Sequence, residues 1–211
     1  MVLADSADRK GGEIFKRFKV NATPTVMFVD GEGSEVDWHV GYGPPPDKFH
    51  AKVENTAKGI DTFKSLSALY AQDAKKIDVV YKLAEKYGDR FIQDKAKALY
   101  GEVIALDPDG KLGTTETWDG EAISFTEMAE FSLGQMAVFN WGSQDPAPLK
   151  AFIAKYPQSK QLENAYQYLG YFYMNQPKDK AVPFYEEYVA KFPDKPSALN
   201  SYVDYLIRQK T

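Results

Sequence analysis

Ile14-Phe-Lys-Arg-Phe-Lys-Val-Asn-Ala-Thr-Pro-Thr-Val-Met-Phe-Val-Asp-Gly-Glu-Gly-Ser-Glu-Val-Asp-Trp-His-Val-Gly-Tyr-Gly43 reads as a helix end, a Thr-Pro turn, a β-hairpin and a Gly-Tyr exit. Ile14, Phe15 and Phe18 share one face of a short helix over 13–18, the spacing an amphipathic turn requires. Thr25 to Val29 is a continuous β-prone run, as expected of a buried strand. Asp30-Gly-Glu-Gly33 supplies the positive-φ residues of a hairpin turn. In the second strand Val36, Trp38 and Val40 alternate with Glu35, Asp37 and His39, which predicts one buried and one wet face. Pro44-Pro-Pro46 breaks the chain, and a closing helix over about 47–57 places Phe49 and Val53 at i, i+4.

Working outward, the chain has 211 residues, enough for one large or two small domains. With 44% hydrophobic and 14% aromatic residues it has the material for a substantial core. Its apolar runs are far too short to span a bilayer as a helix, so no membrane partner is expected. A net charge of −4, with lysines interspersed among acids, argues against nucleic acid, which demands clustered cations. There is no cysteine, which excludes disulfides, thiolate metal sites and thiol catalysis by this polypeptide. Val2-Leu3-Ala4 is an apolar stub, followed by an acidic stretch that does not read as a signal peptide.

From Ile60 onward the pattern is helix after helix, with a period of roughly 34 residues. Val80-x2-Leu83-Ala84-x2-Tyr87-x8-Ala96-x3-Tyr100-x2-Val103-x4-Pro108 is one copy. Tyr166-x2-Leu169-Gly170-x2-Tyr173, then Ala181, Tyr185, Tyr188 and Pro193, is another. A degenerate middle unit is expected to begin with a helix near 125–139. Small residues at 84, 96, 170 and 181 mark close approach of paired helices. The aromatics at 87, 100, 173 and 185 fill the gaps between pairs, and each proline follows a helix it cannot continue. One helical hairpin cannot bury its own face, so such units stack.

This spacing resembles the tetratricopeptide family, with Val80 in place of the usual Trp and Ala84 in place of the usual Gly. The resemblance covers 59–211 and implies a surface that takes proteins or peptides. Residues 1–58 resemble the C-terminal half of a thioredoxin-like domain, through Phe18-Lys-Val20, Thr23-Pro24-Thr25, the strand to Val29, the Gly-bearing hairpin and Gly41-Tyr42. That resemblance implies a cis bond before Pro24 and a substrate-docking role for the backbone of Thr23 and Pro24. It also implies a Cys-x-x-Cys upstream, which this chain lacks. The expected fold class is therefore α+β to mostly α: a partial thioredoxin-like hairpin and helix unit, then a tetratricopeptide-like helical array.

Two functions from different classes follow from these resemblances. One is a non-catalytic protein- or peptide-binding chain, a fragment of a larger thioredoxin-like protein with a helical-repeat extension. The other is part of a thiol–disulfide oxidoreductase whose Cys-x-x-Cys lies upstream of Met1. Either reading leaves the hairpin edge to be covered, by the missing half-domain or by a second chain. Neither calls for a cofactor. Peptide-binding candidates on the concave face of the array are Tyr168, Tyr171, Lys82 and Glu85, with the other rings of the Tyr166 to Tyr173 segment expected in the core.

Other chemistry is sparse. His39 and His50 fall on polar faces and read as solvated. No His-x-x-x-His or complete calcium loop is present, so no metal site is expected. Asp107-Pro-Asp-Gly110 reads as a turn at a repeat boundary, and no catalytic residue is assigned.

Overall fold

The computed structural model describes residues 9–41, 46–117, 119–140 and 144–209, with backbone alone at 46–48. The chain is mostly α-helical: among the described residues there are ten helices and two small antiparallel hairpins. Two compact units, Met1–Leu99 and Tyr100–Thr211, divide it. The Val2 stub, Tyr42 and the start of the proline run lie outside the described residues.

The first unit opens with α1 (Arg9–Phe18), β1 (Thr25–Val29), β2 (Glu35–Val40) and α2 (Pro46–Ala57). Strand β1 pairs with β2 in antiparallel register, Thr25 opposite Val40 and Met27 opposite Trp38, with an irregularity between Phe28 and Val29. Asp30 organises the turn: its Oδ1 accepts from the amides of Glu32 and Ser34 at 3.1 and 2.9 Å, while Gly33 takes φ +75°. Helix α3 (Phe63–Gln72) starts on a capping box, with Thr62 Oγ1 accepting from Ser65 N at 3.0 Å and Ser65 Oγ accepting from Thr62 N at 3.0 Å. Two amide donors that a helix start would strand are thereby satisfied. Helix α4 (Ile77–Asp89) packs on α3, burying Val80, Leu83 and Ala84. Strand β2 packs on α3 as well. The 13-residue α4 ends at Asp89 with Arg90 as its C-cap, and Phe91 just beyond takes φ +57°.

Helix α5 (Gln93–Leu106) carries the boundary between the units. After it the expectation of nearly unbroken helix meets an exception, the short pair β3 (Thr114–Glu116) and β4 (Ala122–Ser124). Its approach is shaped by Asp107, whose carboxylate accepts from the amides of Lys111 and Leu112 at 2.8 and 2.7 Å. The turn read from Asp107-Pro-Asp-Gly is therefore present, and the buried carboxylate of Asp107 belongs to it. Gly113 at φ +146° is required there: a Cβ would stand 2.8 Å from the Phe125 ring. Ser124 then caps α6, accepting from Glu127 N at 3.1 Å.

The rest of the second unit is α6 (Phe125–Val138), α7 (Ala147–Lys155), α8 (Leu162–Tyr173), α9 (Lys178–Lys191) and α10 (Pro196–Arg208). The helix expected near 125–139 is α6, and eight helices follow residue 60 among the described residues. Close packing rests on small residues. Ala165, Ala181 and Ala198 are fully buried, and Gly134 lets α7 approach so nearly that a Cβ would meet Leu149 Cδ2 at 2.7 Å. Between these helices run stacked rings: Tyr173 on Phe184 at 4.2 Å, and Tyr185 against Tyr202 and Tyr205 at 5.6 and 5.1 Å. Tyr185 also donates to the Gly170 carbonyl at 2.8 Å.

Candidate functional site

The candidates read from sequence separate into an exposed aromatic patch, a paired polar surface and a turn. The patch lies on α6 and α8 of the second unit. Tyr171 is 48% exposed, and so is 44% of Phe139 just past α6. The two rings meet at 5.6 Å. Tyr168, one turn earlier on α8, is half-buried between them and the core, 5.4 Å from Phe139 and 5.8 Å from Phe131. Burial pushes its phenol pKa up, so it stays a neutral donor. Tyr171 is thus surface and Tyr168 is the support beneath it. Of their neighbours, Tyr166 and Leu169 are core and Tyr173 is half-buried.

Lys82 and Glu85 belong to α4 in the first unit. Lys82 pairs with Asp61 at 2.7 Å, and the exposed Glu85 accepts from Tyr81 Oη at 3.1 Å. Both are engaged with neighbours on their own unit.

Thr23 and Pro24 are exposed, and the bond between them is cis. Local hydrogen bonds fix the turn: Thr25 Oγ1 donates to the Ala22 carbonyl at 2.7 Å, and Gly41 N donates to the Pro24 carbonyl at 2.9 Å. Strand β1 pairs only with β2 among the described residues, and it carries exposed Val26 and Val29.

Sequence reasoning missed an ionic cluster on β2. Asp37, expected on a wet face, is 1% exposed. Its carboxylate receives Lys86 Nζ on one oxygen and Arg90 Nη2 at 3.3 Å on the other. Arg90 also bonds Glu35 at 2.6 Å, donates to the Lys86 carbonyl at 2.9 Å and lies 4.0 Å over the Phe63 ring. The wet face is overturned because α4 covers it with two cations, which compensate the buried charge. His39 departs from the solvated reading too. It is half-buried, and Lys52 Nζ of α2 donates to its Nδ1 at 2.9 Å. The ring proton therefore sits on Nε2, which is buried without a partner. Burial, then the adjacent Lys52 charge, holds the His39 pKa below its ordinary value, and burial lowers that of Lys52. His50 is exposed beside Glu54 at 3.7 Å. Only the spacing Lys86-x3-Arg90 on one helix face hinted at a counter-charge for the strand.

Among the described residues no group of His, Asp and Glu is arranged to hold a metal ion, and no helix is long and apolar enough to cross a membrane. No protein-family model, curated protein or solved structure matches this chain.

Proposed function

We propose that this chain binds proteins or peptides without catalysing a reaction, and that its binding surface is the aromatic patch of Tyr171, Phe139 and Tyr168. The reading pairs a thioredoxin-like element over 1–58 with a tetratricopeptide-like helical array over 59–211. One observation carries it. Two large rings stand nearly half exposed and touching, on a helical scaffold otherwise busy burying its aromatics. Exposed rings held by packing lose little entropy on binding, which is why such residues dominate interface energetics. The absence of any thiol in these 211 residues removes disulfide exchange from what this polypeptide does by itself.

The test is a peptide selection on the full chain, followed by titration of the enriched peptide. Tyr171→Ser should weaken binding at least about tenfold, the cost of one modest interface anchor, with an unchanged melting curve. Undiminished binding by that variant, or no enriched peptide, overturns the reading. Tyr168→Ala should instead lower stability, since that ring supports the patch.

A second reading, a share in a thiol–disulfide oxidoreductase, draws on the open edge of β1 and its exposed valines. Such an edge invites another strand. Transcript sequence 5′ of Met1 decides it: an in-frame Cys-x-x-Cys supports the reading and a stop codon ahead of any cysteine ends it.

A further inference from the structure

The second unit also carries a concave surface. Helices α7, α8 and α9 bound a groove of about 400 Å³, within the range of small-ligand and peptide side-chain sites. Its floor is apolar and aromatic: Leu169 and Phe184 are buried, and Tyr173 stacks on Phe184 at 4.2 Å. The ends differ in charge. Near Tyr173 the groove is lined by Lys150, whose Nζ lies 5.4 Å from the Tyr173 ring centre, and by Lys180. Neither ammonium has a carboxylate partner among the described residues. At the far end Glu187 accepts from Tyr166 Oη at 2.5 Å, and burial together with that carboxylate keeps the Tyr166 phenol protonated. Tyr166 and Tyr173 are two helical turns apart on α8, about 10 Å, the length of roughly three extended residues.

Three lysines beside the helices of this unit are engaged with carboxylates. Lys155 pairs with Glu130, Lys160 with Glu121 and Lys195 with Glu163. Of the lysines with no carboxylate partner among the described residues, Lys150 and Lys180 are the two that line the apolar groove. We infer that this groove takes a short extended peptide segment with an acidic side chain between Lys150 and Lys180 and an apolar or aromatic side chain on Leu169 and Phe184. Glu187 sets the direction: the segment's acidic end faces the lysines, and the residue reaching Glu187 is neutral or basic. Two cations without a carboxylate partner attract the acid over distance and fix its register, while the aromatic floor supplies burial. This surface is separate from the Tyr171 patch, so either can fail alone.

The experiment uses the full chain and two capped, fluorescein-labelled heptapeptides, Gly-Ser-Glu-Glu-Phe-Lys-Gly and its Gln-Gln counterpart, in anisotropy titrations at low and high salt. The Glu-Glu peptide should bind at least about tenfold tighter than the Gln-Gln one, with the difference shrinking as salt rises. The variant Lys150→Ser/Lys180→Ser should erase that difference while melting unchanged, since both side chains are exposed. Should that variant melt early, Lys180→Gln alone should still halve the advantage or more. Tyr171→Ser should leave this binding intact. Equal affinity for both peptides, undiminished binding by the lysine variants, or no saturation up to about 1 mM, the weak edge of specific recognition, overturns the inference.

Discussion

In the first unit a hairpin is fastened to a helix by charge, whereas in the second unit helices are fastened to one another by rings and small residues. Asp37 and Glu35 of β2 reach Lys86 of α4 and Arg90 at its C-cap, and Arg90 also lies over the rings of Phe63 and Trp38 at 4.0 and 5.0 Å. In α8–α10 the equivalent work falls to Tyr185, Tyr188 and Tyr205, each wholly buried, set against alanine and glycine. The two joints fail differently. A stacked ring that is removed leaves a void whose cost follows its volume. A removed carboxylate leaves cations stranded in a dry place, and the cost follows their desolvation.

The largest expected effect is in the aromatic joint. Tyr185→Ala empties a fully buried ring and orphans the Gly170 carbonyl it bonds, so it should cost about 4–5 kcal/mol. Urea denaturation followed by circular dichroism measures it. Tyr185→Phe keeps the ring and should recover all but about 1 kcal/mol. A loss under about 2 kcal/mol in the alanine variant would mean this joint is looser than its stacking distances indicate.

Asp37→Ala tests the ionic joint and should cost about 3–4 kcal/mol, the penalty for stripping one partner from a buried pair. Replacing its exposed counterpart pair, Lys82 with Asp61, should cost well under about 1 kcal/mol. If Asp37→Ala proves as mild as the surface pair, charge does not hold the hairpin to α4, and the contrast between the units collapses.

That contrast also separates what the sequence revealed from what it hid. Aromatic and small residues recur at helical spacing, so α8 and α9 and their buried faces were legible, down to Ala181 and Tyr185, and α6 was legible as a helix. The hairpin was legible as well, because Thr25 to Val29, the Asp30 turn and the alternating β2 are local signals. Asp37 was misread: alternation assigns its face to water, but its partners lie 49 and 53 residues further on, where the Lys86-x3-Arg90 spacing does not say which strand it serves. The pair β3 and β4 is three residues a side, too short to carry a period. Which of Tyr168 and Tyr171 stays exposed depends on Phe131 of α6 and Phe139 just past it, and one-helix periodicity does not contain that information. The groove of Lys150 and Lys180 needs three helices to exist and left no trace in any one of them.

A smaller effect comes from the end of α4. Phe91 sits at φ +57° with its side chain 55% exposed, closing the helix through bonds from Phe91 N to the Gly88 carbonyl and from Ile92 N to the Tyr87 carbonyl, both 2.9 Å. Glycine is the residue such a cap prefers, and a bulky side chain there costs about 1–2 kcal/mol of steric strain. Phe91→Gly should therefore stabilise the first unit by about 0.5–1 kcal/mol after the entropy of glycine is counted. Phe91→Ala keeps most of the strain and should give no gain. Equal gains from both would place the effect in the exposed ring rather than the backbone.

The smallest effect separates the units by pH. His39 titrates below its ordinary value of 6.5, chiefly through burial and then through Lys52. The unfolded chain thus binds a proton at this position more readily than the folded one, and stability rises with pH wherever that difference holds. The contribution is complete above about 6.5 and is lost as acid takes the solution down through the lowered value. Protonation would also end Lys52 donation to Nδ1, leaving two cations face to face. Between pH 7.5 and 5.5 the native chain should lose more stability than His39→Gln, whose amide oxygen still accepts from Lys52 and does not titrate. Identical pH slopes for the two proteins would show that His39 protonates freely in the fold, and that the charged joint of the first unit does not extend to α2.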